Sequence, residues 1–303
     1  MTAEPVVLCL GEAVELGHAW VQSVAERSGI RVLFLKGPAL HRHGLREHRT
    51  SSDVDVLVEP SRLDDLSAAL VAREWTQREG DFITERISLH SRAFLHQEWP
   101  CDIDLHAYYP GFLRPPAEVF EALWARRTRL EFAHYACDVP DRLGSILVLA
   151  LHSLRGTARQ QRHADELNGL YRVSLTRDER LQLGALALAT GSAGTLETVL
   201  PRLGVDVDIP AEDLASRELQ EWRERVRSGS HGAYFWIVAF RRANWRQRIA
   251  VTGRAIWPTR ADLLLSRPDV VDTRWGLLQG RVQRWGRGIA SLPDALRATS
   301  RRR

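Results

Sequence analysis

The chain has 303 residues, of which 44% are hydrophobic and 26% are charged, and this balance is typical of folded globular proteins rather than disordered ones. Three scattered cysteines form no CxxC pair, which argues against a disulfide framework or a structural zinc site and favours a reducing compartment. The apolar runs are too short to cross a bilayer, so we expect a cytoplasmic protein without a membrane span.

Charge is divided unevenly along the chain. Residues 217–303 hold 19 arginines against 7 acidic residues, whereas residues 1–216 hold 23 basic against 31 acidic residues. The basic C-terminal third indicates either an anionic partner or a solvated arginine-rich surface that compensates the acidic part. All basic residues are arginines except Lys36.

The N-terminal part predicts alternating helices and strands. Helical periodicity over residues 3–28 predicts a first helix, and the β-prone run Arg31–Leu35 predicts a short strand. The turn Lys36–Pro38 leads into a short helix at 39–43, because proline fits the first helical position, where its missing N–H has no partner. An amphipathic helix is expected at Pro60–Glu74.

Two strands carry acidic residues at alternate positions. Residues Asp53–Val58 predict a strand with hydrophobic residues on one face and two carboxylates, Asp53 and Asp55, on the other. Residues Cys101–Ala107 predict a second strand of the same kind. Its polar face holds Asp102, Asp104 and His106.

The remaining pattern indicates an α+β protein. Two further β-prone stretches lie around 82–89 and 93–99, and one more lies at 129–139. Helices are predicted at 117–126, 142–155, 162–173, 177–190, 194–203, 211–227, 233–251 and 271–289. We therefore expect an α/β domain over residues 1–140 and a mostly helical domain over residues 141–303.

The alternating carboxylates predict a metal site. Two carboxylates at positions i and i+2 of a strand repel each other unless a cation lies between them. A third carboxylate, Asp104, would complete a site for two magnesium ions that polarise the α-phosphate of a triphosphate, and it would help to deprotonate an attacking hydroxyl. Periodicity alone does not distinguish Asp104 from Asp102. The alternative is a solvent-facing polar stripe.

Basic residues upstream suit phosphate. A lysine and a glycine, Lys36 and Gly37, at the start of a helix offer an ammonium group and free N–H groups to an anion. The alternative for Lys36 is an exposed lysine at a strand end. Arg49 suits either a bidentate contact with phosphate or a salt bridge to the acidic cluster.

In this order the motifs resemble the DNA polymerase β-type nucleotidyltransferase superfamily. More narrowly, they resemble the bacterial family of uncharacterised nucleotidyltransferases. The resemblance covers most of the first 170 residues, and Lys36-Gly37 replaces the usual Gly-Ser of the superfamily. The residues that carry it are Lys36-Gly37, Arg49, Asp53-Val54-Asp55, Asp104-Leu105-His106, His152 and Asp165.

The resemblance implies a nucleotidyltransferase-fold mixed β-sheet with flanking helices. It also implies a magnesium-dependent transferase that binds ATP or another NTP and moves an NMP group to a hydroxyl of a peptide or small molecule, as in peptide biosynthesis. Asp53, Asp55 and Asp104 would be catalytic and would hold two Mg²⁺ ions, and Lys36, Gly37 and Arg49 would bind the nucleotide. An acceptor pocket would be lined by His106, His152 and Asp165.

Alternatives stay open for the histidines and for the function. His106 suits a core position or a role in orienting Asp104, and His152 with Asp165 suits a buried polar pair. The fold also serves a catalytically silent binding protein for a peptide or partner enzyme, or an RNA-end-modifying enzyme. Six of the ten tryptophans lie in the basic third, which suits base stacking, an interfacial helix or helical core packing.

Overall fold

The computed structural model describes residues 8–84, 91–156, 161–227 and 232–300. The chain divides into two compact units. The first unit comprises Met1–Arg78 and His90–Gln220, and the second comprises Glu79–Leu89 and Glu221–Arg303. The domain boundary expected at residue 140 stays a prediction.

A five-stranded sheet lies in the first unit. Its strands, in chain order, are β1 (Val32–Phe34), β2 (Asp53–Val58), β3 (Thr76–Gln77), β4 (Ser91–His96) and β5 (Trp99–His106). In space the order is β1-β2-β5-β4-β3, with β2 and β5 parallel and the other neighbours antiparallel. Two further strands, β6 (Thr128–Phe132) and β7 (Tyr135–Val139), pair as a separate hairpin.

Helices make up most of the remaining described chain. They are α1 (Leu10–Arg27), α2 (Pro38–Arg42), α3 (Leu63–Val71), α4 (Pro116–Trp124), α5 (Arg142–Gly156), α6 (Gln161–Leu170), α7 (Arg177–Ala189), α8 (Ala211–Leu214), α9 (Arg217–Arg227), α10 (Gly232–Arg242), α11 (Trp245–Ile256), α12 (Arg260–Ser266) and α13 (Arg274–Ser300). Short 3-10 turns precede α3, at Pro60–Arg62, and α8, at Pro201–Leu203.

The apolar face of the sheet packs against α1. Val14 and Val21 of this helix lie in one core cluster with Val54 and Val56 of β2. A Cβ atom at Gly17 would come within 3.0 Å of the Val54 side chain, so the helix and the sheet approach closely there. Because side chains alternate along a strand, burial of the valines directs the acidic residues of β2 to the opposite face.

The predicted α+β class, with a mixed sheet, flanking helices and a mostly helical C-terminal region, is confirmed. Strand β2 has the bounds that were predicted. The strand expected at 82–89 is wrong for its first three residues, since Phe82 and Ile83 form a turn and Thr84 is helical, and residues 85–90 lie outside the described ranges. The helix expected at Pro60–Glu74 begins as a 3-10 turn and ends at Val71.

Three helix predictions in the C-terminal half are wrong. The helix expected at 211–227 is divided at residues 215–216 into α8 and α9. Residues 194–200 form turns rather than a helix, because the preceding run of small residues has low helix propensity and Pro201 lacks an N–H donor. The helix expected at 233–251 is two helices. Asn244 starts the second one, and its side chain accepts a hydrogen bond of 3.0 Å from the Gln247 backbone N–H.

Across the described ranges, no helix combines the length and the apolar character that crossing a bilayer requires.

Candidate active site

Strands β2 and β5 bring three of the predicted site residues together. The two strands are parallel neighbours, and Asp55 lies directly opposite Asp104 in their register. Two positions further along β5, His106 projects from the same face. One donor atom from each of Asp55, Asp104 and His106 lies within 4.8 Å of the other two.

Asp55 is a buried carboxylate with two partners on one oxygen. Lys36 Nζ lies 2.7 Å from Asp55 Oδ1, and His106 Nε2 lies 2.9 Å from the same atom. Burial alone would raise the pKa of Asp55, but the charge of Lys36 and the bond to His106 outweigh it and hold the pKa far below its ordinary value. The lysine predicted to bind phosphate is therefore ion-paired with Asp55, the second carboxylate of the DxD motif.

Asp104 is less well compensated. Burial, followed by the negative charge of Asp55, raises the pKa of Asp104 to about 6. The charged form is thus disfavoured in this position, because two carboxylates share a site with little water. A divalent cation between them would remove this penalty.

Asp53 and Asp102 flank this pair in the same register. Asp53 accepts a hydrogen bond of 2.9 Å from the Ser51 hydroxyl, and its charge contributes to the raised pKa of Asp104. Asp102 accepts a bond of 2.6 Å from Arg78. The geometry therefore offers Asp104 as the third carboxylate, since Asp102 has an arginine partner of its own.

The turn before α2 requires glycine for conformational reasons. Gly37 has φ +62° and ψ −137°, a region that is almost exclusive to glycine. A steric clash does not explain the need for glycine, because a Cβ atom there would lie 3.6 Å from the nearest side chain, His18, which is an ordinary contact distance. The Gly37 carbonyl accepts a bond of 2.9 Å from Arg46, which sequence reasoning did not single out.

A second polar cluster surrounds Glu166 of α6. Arg49 Nη1 lies 3.2 Å and Arg46 Nη1 3.5 Å from Glu166 Oε1, while His163 Nδ1 lies 3.4 Å from Oε2. The ring of His152 packs edge-on against His163, with 4.8 Å between centroids. Arg49 therefore forms a salt bridge with Glu166, whereas the salt bridge considered from the sequence was one to the acidic cluster.

His152 lies near the carboxylates, but Asp165 does not lie beside His152. Burial lowers the pKa of His152 well below its ordinary value, and the positive charge of Lys36 adds to this effect. Asp165 is exposed and accepts a bond of 3.0 Å from Gln161, so the predicted His152–Asp165 pair is wrong. Glu166, one position later, takes that place because it shares a face of α6 with His163.

The acidic face fits a magnesium ion. Carboxylate oxygens are the ligands that Mg²⁺ prefers, and Asp55 and Asp104 offer them side by side, with Asp53 on the same face of β2. The uncompensated charge at Asp104 is the local observation that favours a cation there. His106 bonds to Asp55, and this contact orients the second carboxylate of the DxD motif.

Comparisons with known proteins give one family match and similarities to solved structures. Residues 21–177 match a family described as uncharacterised nucleotidyltransferase. Among solved structures, an antigenic nucleotidyltransferase-like protein from Paracoccidioides brasiliensis is 9% identical, with a TM-score of 0.39, 68% of this chain covered and 98% of that chain covered. A tRNA-processing enzyme in an apo form is 13% identical, with a TM-score of 0.28, 98% of this chain covered and 93% of that chain covered.

No curated protein sequence matches the chain. The family match extends over more than half of the 303 residues and includes the turn, both acidic strands and the Glu166 cluster. The chain belongs to the family of uncharacterised nucleotidyltransferases.

Proposed function

We propose that the chain is a magnesium-dependent nucleotidyltransferase that moves an NMP group from ATP or another NTP to a hydroxyl of a peptide or small-molecule acceptor. The observation that carries this proposal is the placement of Asp55 opposite Asp104 on parallel neighbouring strands, with Asp53 on the same face. Membership of a nucleotidyltransferase family supports the reaction class.

In this proposal Asp53, Asp55 and Asp104 hold the metal and Asp104 also serves as the base. Bound magnesium would neutralise the triphosphate and polarise its α-phosphate. Asp104, opposite Asp55 in the register of β2 and β5, would accept the proton of the attacking hydroxyl at a carboxylate oxygen. Lys36 holds Asp55 charged and in place through its 2.7 Å contact.

The nucleotide and acceptor assignments are also proposals. We assign Arg49 as a phosphate ligand because its side chain is 44% exposed. If Arg49 turned to a phosphate, Glu166 would still be paired with Arg46. Gly37 would let the backbone approach a phosphate closely. His106 and His152 would line the acceptor pocket, and Asp165 would lie at its edge because it is exposed.

The test is a transfer assay with a labelled NTP, Mg²⁺ and a panel of hydroxyl-bearing peptides and metabolites. We expect pyrophosphate release with a matching gain of NMP mass on one acceptor, and a loss of roughly a hundredfold or more in Asp104→Asn. Asp102→Asn, on the same face of β5, is the matched control and should keep its activity. Equal turnover in wild type and Asp104→Asn would contradict the proposal.

A second candidate function is that of a catalytically silent binding protein. It is favoured by the two partners, Lys36 and His106, that already occupy one oxygen of Asp55. If Lys36 replaces the metal, Mg-ATP should leave the thermal midpoint of the wild type unchanged, and a cognate peptide or partner enzyme should raise it. A rise with Mg-ATP in the wild type would exclude this candidate.

A further inference from the structure

Helix α13 of the second unit is amphipathic with its apolar face turned outward. It has 27 residues, about 40 Å of helix. Trp275 is 79% exposed and Ile289 is 71% exposed, and Leu278 and Val282 between them are exposed as well. Their spacing of three, four and seven residues places all four on one face of the helix.

Two arginines of α13, Arg281 and Arg284, are half-buried and pack inward. Arg281 donates to the Pro258 carbonyl at 3.3 Å, and its guanidinium lies 4.5 Å from the centre of the Trp257 ring. Arg284 lies 5.0 Å from the centre of the Trp236 ring. A helix on the surface of a globular unit normally buries its apolar stripe and exposes its arginines. In α13 the apolar stripe is exposed instead, next to the exposed Arg274 and Arg287. An apolar stripe in this position is suited to an external binding surface.

Helix α11 repeats the pattern. Trp245, Ile249 and Ile256 are exposed and lie four and seven residues apart, which places them on one face. Arg246 lies beside this stripe, 5.1 Å from the centre of the Trp245 ring. The only buried hydrophobic residue among the described side chains of α11 is Val251, which lies on the other side of the helix.

Trp285 joins the two stripes. It continues the spacing of α13, three residues after Val282, and its indole N–H donates to the Ile256 carbonyl at 2.6 Å. Trp285 itself is half-buried, and its ring centre lies 6.0 Å from that of the exposed Trp257. Through these contacts Trp285 connects the two exposed stripes into one apolar patch. We call it the outer patch. It comprises Trp245, Ile249, Ile256, Trp257, Trp275, Leu278, Val282, Trp285 and Ile289.

We propose that the outer patch binds an anionic lipid surface, with the second unit lying on the membrane. Tryptophans and aliphatic side chains on helices that also carry arginines are the combination that inserts into the headgroup region. The basic C-terminal third, with 19 arginines against 7 acidic residues, complements anionic headgroups. The chain lies on the membrane and does not cross it, since no described helix could span one.

The same observations disfavour other occupants. Nucleic acid would use the arginines and the tryptophan rings, but Ile249, Val282 and Ile289 have no π-face to stack on bases. A second copy of the chain would bring two arginine-rich surfaces of the same sign together. A single partner helix would cover one stripe and leave the other exposed.

The test is co-sedimentation of the full chain with vesicles of phosphatidylcholine alone or of equal parts phosphatidylcholine and phosphatidylglycerol. We expect binding to the anionic vesicles, and binding about tenfold weaker to the neutral vesicles and in the variant Trp275→Ser/Ile289→Ser. Leu181→Ser is the matched control, because Leu181 is 66% exposed on α7 in the first unit. It should bind as the wild type does.

Three results would overturn the proposal. The first is no binding to anionic vesicles at low salt by a chain that melts cooperatively. The second is binding of the double variant that equals that of the wild type. Both substituted side chains are exposed, so an unchanged thermal midpoint shows that this variant is folded. The third is a dimer, or a complex with single-stranded RNA, that the double variant abolishes while vesicle binding persists.

Discussion

The two units use hydrophobic residues in opposite ways. In the first unit a continuous core lies between α1 and the sheet, with Phe34, Val54 and Ile103 fully buried. In the second unit the described core cluster is small and comprises Ile83, Ala239 and Val251. Of the 16 large hydrophobic side chains that are exposed among described residues, 11 belong to the second unit. A packed core positions charged groups for chemistry, whereas exposed apolar stripes provide a binding surface.

The largest test of this contrast is truncation of one side chain in each unit. Phe34→Ala removes a fully buried ring from the first core, and we expect a loss of about 3–5 kcal/mol in the free energy of unfolding. Ile289→Ala removes a side chain that is 71% exposed, and the change should stay within about 0.5 kcal/mol. Urea denaturation measures both. Equal losses would show that the outer patch is a core.

The charge of Asp104 on the acidic face should lower the free energy of unfolding by an amount that depends on pH. The pKa of Asp104 is raised to about 6 in the fold, against about 3.9 for an aspartate in the unfolded chain. The native state therefore binds more protons between these values, and stability falls as pH rises from about 4 to 6. In metal-free buffer at pH 7, Asp104→Asn should be more stable than wild type by about 1–2 kcal/mol.

The control for this prediction is Asp102→Asn, which loses an exposed salt bridge with Arg78. It should be within about 0.5 kcal/mol of wild type at every pH. The difference in the free energy of unfolding between wild type and Asp104→Asn should also vanish near pH 4, because residue 104 is uncharged in both folded proteins at that pH. A variant that is less stable than wild type at pH 7 would mean that Asp104 is a structural carboxylate.

A smaller difference in stability is expected between alanine substitutions at Gly37 and at Gly253. Gly37→Ala should cost about 1–3 kcal/mol, because its backbone adopts a conformation that alanine resists, although no atom blocks the Cβ position. Gly253→Ala in α11 meets nothing within 4 Å and should stabilise the chain by about 0.5–1 kcal/mol. Thermal midpoints give the sign of each change. Stabilisation by Gly37→Ala would show that the turn tolerates an ordinary backbone conformation.

The sequence predicted the structure best where polar and hydrophobic residues alternate with the same period as exposure and burial along the strand. Strand β2 alternates aspartates with valines, and the valines face α1 while the aspartates face away. That alternation predicted the acidic face and the bounds of β2. It did not predict that β2 and β5 are neighbours, because strand order depends on packing between distant segments.

Other features depended on contacts that no local pattern encodes. The ion pair of Lys36 with Asp55 follows from the geometry of the Gly37 turn and the register of two strands. Glu166 was missed because Asp165 precedes it, and only the facing helix decides which carboxylate points inward. The capping box from Asn244 to Gln247 was legible in the sequence and predicts the break between α10 and α11.

The core-packing explanation for the tryptophans of the basic third holds for Trp222 and for Trp236, which packs against the small core cluster, and fails for three others. Trp222 is buried, whereas Trp245, Trp257 and Trp275 are more than half exposed. Sequence periodicity alone places an apolar stripe on a helix but does not say whether that stripe faces a core or the surroundings.

The most direct test of the central claim is calorimetric titration with a non-hydrolysable ATP analogue, with and without Mg²⁺. The account predicts binding by wild type that requires Mg²⁺, retention of binding in Asp102→Asn, and loss in Asp104→Asn. Binding that is equally strong without Mg²⁺, or unchanged in Asp104→Asn, would contradict a metal-nucleotide site on the acidic face of β2 and β5.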